Sequence, residues 1–164
     1  MIQLLVLDVD GCLTDGGITY SATGDEIKIF NVKDGLAIAS WIKMGHDVAI
    51  ITGRKSTIVK RRADELGIQH LFQGVHNKDE VLRLLLKDLS ISLENVAAIG
   101  DDLNDANMLQ LVGHSYTPQD GSRYIKKIVN TVLKNSGGKG AVREMIEEIV
   151  IQNDEEGAFL ALWQ

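Results

Sequence analysis

The chain is poor in cysteine, proline and aromatic side chains: it has one of each of the first two, and aromatics make up 5% of 164 residues. A lone cysteine, Cys12, excludes an internal disulfide and a cysteine-rich metal centre. It suits a reducing compartment, so a cytoplasmic protein is expected. The single proline and 16 glycines point to regular elements joined by short turns. Long hydrophobic runs are missing too. The apolar stretch Leu4–Leu7 is cut off by Asp8, too early for a secretory leader, and nothing approaches the roughly 18 apolar residues of a membrane span. No membrane association is expected. Basic charge is also short. Seventeen Lys and Arg face 23 Asp and Glu, a net charge of −6, which disfavours nucleic acid as a partner. Positive charge for an anionic ligand would have to be local, from a metal ion or from placed Lys and Arg. What is abundant is aliphatic: 45% of residues are hydrophobic, enough for one domain spanning residues 1–164.

Apolar runs alternate with helical spacing. Ile2–Val9 reads as a strand buried on both faces. Residues 16–31, "GGITYSATGDEIKIFN", alternate around the turn signal "SATGD" and read as a β-hairpin flap projecting from the main sheet. Lys33–Met44 has helical spacing, with Gly45 as its stop. "DVAIIT" is a second strand, Lys55–Leu66 a helix ending at Gly67, and "HLFQG" a short strand. Asn77 is placed as an N-cap, with Glu80 as its capping-box partner, for a helix running to about Asp88. "NVAAIGDD" is a further strand, and Asn104–Leu111 a helix. Short strands are expected at "HSYTP" and Val129–Leu133, then an amphipathic helix over Ala141–Val150 and a tail over 152–164. The alternation predicts an α/β fold with a doubly wound, Rossmann-like parallel sheet.

In such sheets the ligand sits beyond the carboxyl ends of the strands. Three predicted strand ends carry chemistry: Asp8 and Asp10, Thr52 and Gly53, Asp101 and Asp102. Clustered carboxylates repel one another and are normally held together by a cation. A hard, oxygen-only ligand set suits Mg²⁺, which favours phosphate-bearing substrates. A carboxylate beside a phosphoryl group can be its nucleophile, and a second acid two residues on can serve as general acid and then base. Thr52, with backbone N–H groups at the following turn, suits a phosphate oxygen. Lys78 lies in the first turn of a helix, an unfavourable place for a cation unless an anion is near. Each feature alone also has a plain reading, as a turn acid, a turn threonine or a solvated lysine. "DVDGCLTD" and "GDDLND" together outweigh that reading. The "SGGKGAVREM" segment can be an anion-binding loop before a helix or a simple connection.

The four stations, in this order, resemble the haloacid dehalogenase superfamily of phosphotransferases: "DVDGCLTD", "ITGR", Lys78 and "GDDLND". The resemblance implies Asp8 as nucleophile and metal ligand, and Asp10 as acid/base with its backbone carbonyl on Mg²⁺. It implies Thr52 and Lys78 as phosphate ligands, Asp101 as a metal ligand, Gly11 and Gly53 at the substrate, and Asp102 and Asp105 as supports behind the metal. Neither gap between stations can house a cap domain. The chain thus resembles the capless subgroup typified by 3-deoxy-D-manno-octulosonate 8-phosphate (KDO 8-phosphate) phosphatases, in which "FNVKDG", "TGRKS" and "GGKGAVRE" have counterparts. That subgroup implies a sugar phosphate as partner and a homotetramer in which one subunit's hairpin helps cover a neighbour's site. Related nonulosonate 9-phosphate phosphatases tend to carry Glu where Arg54 stands, paired with a Lys where Glu65 stands, so Arg54 favours the eight-carbon sugar. Arg62 would meet the sugar carboxylate, or else be a surface charge on "KRRADE". The likeness places the apolar tail on a neighbouring subunit or at its active-site mouth. A receiver-like phospho-Asp signalling domain is a more distant alternative, since it also combines acids, a Thr and a Lys on a parallel sheet.

Overall fold

The computed structural model describes residues 1–164. Six parallel strands form one sheet: β1 (Leu4–Leu7), β4 (Asp47–Ile51), β5 (His70–Phe72), β6 (Val96–Ile99), β7 (His114–Thr117) and β8 (Thr131–Val132). Their order is β5-β4-β1-β6-β7-β8, so β1 lies between β4 and β6. Leu4 pairs with Asp47 on one side and Val96 on the other, and Leu7 with Ile50 and Ile99. The strand order reverses at β1, and this is where a doubly wound sheet opens a crevice.

Period-2 alternation explains the continuous apolar runs. Leu5, Leu7, Val48, Ile50, Ala97 and Ile99 join a core with helices α1 (Val32–Lys43) and α5 (Ala141–Gln152). Leu4, Val6, Ala49, Ile51, Val96 and Ala98 face the other way, onto α3 (Lys78–Leu89) and α4 (Ala106–Leu111). With both faces covered, every residue of β1 is buried. Helix α2 (Thr57–Leu66) starts with the Ser56 hydroxyl accepting from the Ile58 N–H and ends on Gly67 in the left-handed conformation, φ 79°.

The hairpin over 16–31 forms, but with only two residues per strand: β2 (Thr19–Tyr20) and β3 (Glu26–Ile27) pair antiparallel, separate from the main sheet. One expectation needs correction. The capping box at Asn77 does not close, because the Asn77 amide donates to the Glu80 carboxylate at 3.2 Å instead of either side chain capping the backbone. A capping box closes instead between Asp102 and Asp105. Part of the tail packs on its own chain, while Leu160 and Trp163 stay about half exposed. Its helix α6 (Glu156–Ala161) buries Phe159 in the larger core, and the Trp163 indole N–H donates to the Ser40 hydroxyl at 3.1 Å.

Candidate active site

Strand β1 ends at Leu7, and the chain turns sharply through Val9–Leu13. Gly11 takes φ 99°, which other residues rarely adopt. A Cβ at Gly11 would stand 2.0 Å from Asp101 Oδ2, so the glycine lets the carboxylate at the end of β6 approach the Asp8 loop. The loop is tied internally by the Thr14 hydroxyl, which donates to the Val9 carbonyl and accepts from the Gly16 N–H. The Gly137–Gly138 loop braces it from outside: the Gly138 N–H donates to the Cys12 carbonyl at 2.9 Å, and a Cβ at Gly137 would strike the Gly11 carbonyl.

Lys78 lies at the centre of the acidic group. It is 2% exposed and reaches from the start of α3 to Asp8 Oδ1 at 2.7 Å and Asp105 Oδ1 at 2.5 Å. The other Asp105 oxygen accepts from the N–H groups of Asp101 and Asp102 at 3.0 and 3.3 Å. Asp105 thus fixes the turn carrying Asp101 and, through Lys78, the orientation of Asp8. Asp102 caps that turn by accepting from Leu103 N–H at 2.8 Å.

Charge does not balance here. Burial and the Asp105 charge push Asp8 up to about 6, although Lys78 pulls the other way. Burial, then Asp8 and Asp105, push Asp101 up to about 8. Burial pulls Lys78 down, but the two carboxylates outweigh it and leave it raised. A hard divalent cation would relieve this excess of negative charge. One ligand atom each from Asp8, Cys12 and Asp101 lie within 4.8 Å of one another. The carboxylates fit Mg²⁺. The Cys12 thiol does not, because burial and the nearby acids hold it well above its ordinary range and so protonated.

Above these groups opens a cleft of about 270 Å³ lined by no hydrophobic residue. Asp8, Asp10, Thr52, Gly53, Arg54, Asp101 and Asp102 all line it, so the three predicted strand ends do converge. Asn104 and Gly16 also line it, and neither stood out in the sequence. Arg62 is not brought there. Helix α2 runs away from the sheet edge, and five residues after Thr57 amount to about 7.5 Å of rise. Arg62 lies instead over the Phe30 ring at 5.7 Å, beside the buried Asp34 of α1, in a separate, largely apolar depression.

Lys28, on the hairpin, does not stand out in the sequence either. Its ammonium lies 2.5 Å from Asp10 Oδ1 and 3.0 Å from Glu26. Alternation marks Ile27 and Ile29 as the informative residues, so the sequence presents Lys28 as a solvated neighbour.

The chain is similar to known proteins in sequence and in fold. Residues 70–146 match the model of a family described as haloacid dehalogenase-like hydrolase. Over 150 residues, 92% of this chain and 80% of the relative, the sequence is 43% identical to the 3-deoxy-D-manno-octulosonate 8-phosphate phosphatase KdsC of Escherichia coli K12. The phosphatase of that name from Moraxella catarrhalis, solved with magnesium ion, phosphate ion and a KDO molecule, superposes with a TM-score of 0.96. It is 41% identical, and the match covers 99% of this chain and 94% of that one. The cobalt-bound phosphatase from Haemophilus influenzae gives 0.92 at 38% identity, over 97% and 93%. The chain belongs to the haloacid dehalogenase-like hydrolases, in the family of the 3-deoxy-D-manno-octulosonate 8-phosphate phosphatases.

Proposed function

We propose that this phosphomonoester hydrolase removes phosphate from KDO 8-phosphate through a phospho-Asp8 intermediate. One observation carries the chemistry: the buried Lys78 holds Asp8 by a single oxygen at the mouth of a polar cleft, opposite Asp101. The relatives' substrate carries the choice of sugar.

Asp8 attacks phosphorus through its free oxygen, and the bond from phosphorus to the sugar oxygen breaks. Asp10 donates its proton to that leaving oxygen. It then takes one from water as the water attacks the phospho-Asp8, restoring both side chains and releasing phosphate. Thr52 and Lys78 hold the phosphoryl oxygens. The carboxylates of Asp8 and Asp101, with the Asp10 carbonyl, would hold Mg²⁺, which supplies charge compensation for the phosphoryl group. Arg54, 44% exposed and held only by long contacts to Tyr20, Glu26 and Asp10, is the cleft's cation for the sugar carboxylate. Within one chain Arg62 has no such access.

The exposed apolar side chains of the hairpin support assembly. Ile18, Tyr20, Ile27 and Ile29 are 44–77% exposed, more apolar surface than a free arm sustains. The reading is a homotetramer with each site at a subunit boundary, in the cytoplasm.

The test is phosphate release across KDO 8-phosphate, a nonulosonate 9-phosphate and glucose 6-phosphate, each with excess Mg²⁺. KDO 8-phosphate should give the highest kcat/KM. Faster turnover of the nine-carbon ester would replace the proposed substrate, and no turnover of any ester would refute the reaction.

A further inference from the structure

We propose that Lys28, on the hairpin of the same chain, is the positioning residue for Asp10, holding its carboxyl in the orientation from which it serves the leaving group. The inference rests on the reading of Asp10 as the acid.

The geometry is specific. A lysine on a flap of two-residue strands should extend into water. The Lys28 side chain is instead 2% exposed, with its ammonium on Asp10 Oδ1 at 2.5 Å and on Glu26 Oε1 at 3.0 Å. Glu26 also meets Arg54 at 3.5 Å, and the Arg54 Nε lies 3.9 Å from the other Asp10 oxygen. Two acids and two bases therefore form a closed ring, two of whose sides run between the hairpin and the cleft. The Tyr20 hydroxyl accepts from Arg54 at 3.3 Å and adds a third tie between hairpin and cleft.

The ring matters because Asp10 has no other anchor. Asp8 is held by Lys78, and Asp105 by Lys78 and two backbone N–H groups. No backbone N–H or hydroxyl donates to the Asp10 carboxylate among the hydrogen bonds of the chain, and its side chain is 18% exposed. An unanchored acid rotates among staggered positions, and catalysis by proton transfer demands placement within hydrogen-bond reach of the leaving oxygen. Arg54 is 44% exposed and, as the carboxylate ligand, would be drawn off by substrate. Lys28 is then the remaining partner of Asp10. The hairpin thus acts inward on its own cleft as well as outward through its apolar face.

The experiment compares leaving groups. kcat/KM reports the steps up to phospho-Asp8 formation. An alkyl ester needs a proton on its leaving oxygen in those steps, whereas p-nitrophenolate departs without one. Lys28→Met, Lys28→Arg and Asp10→Asn are assayed beside the wild type on p-nitrophenyl phosphate and on the best alkyl phosphate of the panel above. Urea melts check that each variant folds. Lys28→Met should lower kcat/KM for the alkyl ester about 10- to 100-fold and for the aryl ester no more than about threefold, the pattern of a misplaced acid. Lys28→Arg should recover most of the loss. Equal loss on both esters would overturn the proposal and make Lys28 a phosphate ligand or a structural residue. So would wild-type behaviour of Lys28→Met while Asp10→Asn is inactive. If Asp10→Asn itself keeps full alkyl turnover, Asp10 is not the acid, and both readings fall together.

Discussion

Titration of Mg²⁺ into the metal-free protein at pH 7 should release close to one proton per ion bound. Asp101, pushed up to about 8, is about 90% protonated at that pH, and Asp8, at about 6, is about 10% protonated. Both must be ionised to hold the ion, so the sum is about one proton. The same competition sets the affinity. Going down from pH 8, the apparent Kd should weaken about tenfold per pH unit, and below pH 6 about a hundredfold per unit, as Asp8 protonates too. Above pH 8 it should level off. The sign for stability follows from the same shifts. Both carboxyls hold protons more tightly folded than unfolded, so the metal-free fold is favoured at low pH. It loses stability as pH rises from the ordinary carboxylate range through about 6 and then about 8. Mg²⁺ should reverse that loss, because it binds only the folded state. Calorimetry in two buffers of different ionisation enthalpy gives the proton count, and melts at pH 6, 7 and 8 give the stability trend. A Kd independent of pH between 6 and 8, with no proton released, would refute the account of mutual repulsion.

Asp8→Asn should abolish turnover in a phosphate-release assay while raising the metal-free melting temperature at pH 8, since one member of the repelling set is gone. Lys78→Met should cost about 3–5 kcal/mol in urea unfolding, because it leaves Asp8 and Asp105 buried without their cation. Adding Asp105→Asn to it should recover part of that. Gly11→Ala should fold but lose most Mg²⁺ affinity by calorimetry, since the new methyl occupies the place of the Asp101 carboxylate. Light scattering at micromolar concentration should give about four times the 18.0 kDa chain mass, and an active monomer would refute the shared-site assembly.

Much of the layout was readable without coordinates. The four-residue apolar run ending in Asp8 can only be a strand buried on both faces, because period 2 sends Leu4 and Val6 one way and Leu5 and Leu7 the other. The acids at the ends of β1 and β6, and Thr52 after β4, had to share an edge once those strands were parallel neighbours. The spacing of the motifs also located Lys78 at a helix start, where a cation needs a nearby anion. Tertiary structure decided the rest, because it depends on which faces meet. Arg54 and Arg62 flank the start of α2 in sequence, yet α2 carries Arg62 away from the cleft onto Phe30 and Asp34. The apolar tail carries no sign in the sequence of what it packs on, and the structure buries Phe159 in the larger core while leaving Leu160 and Trp163 about half exposed. The hairpin leans onto the cleft rather than into solvent, which turns an ordinary lysine of "DEIKIF" into the partner of Asp10. Strand and helix periods report which side of an element is apolar. They do not report where a short flap comes to rest, because that is set by a few ion pairs between residues far apart in the chain.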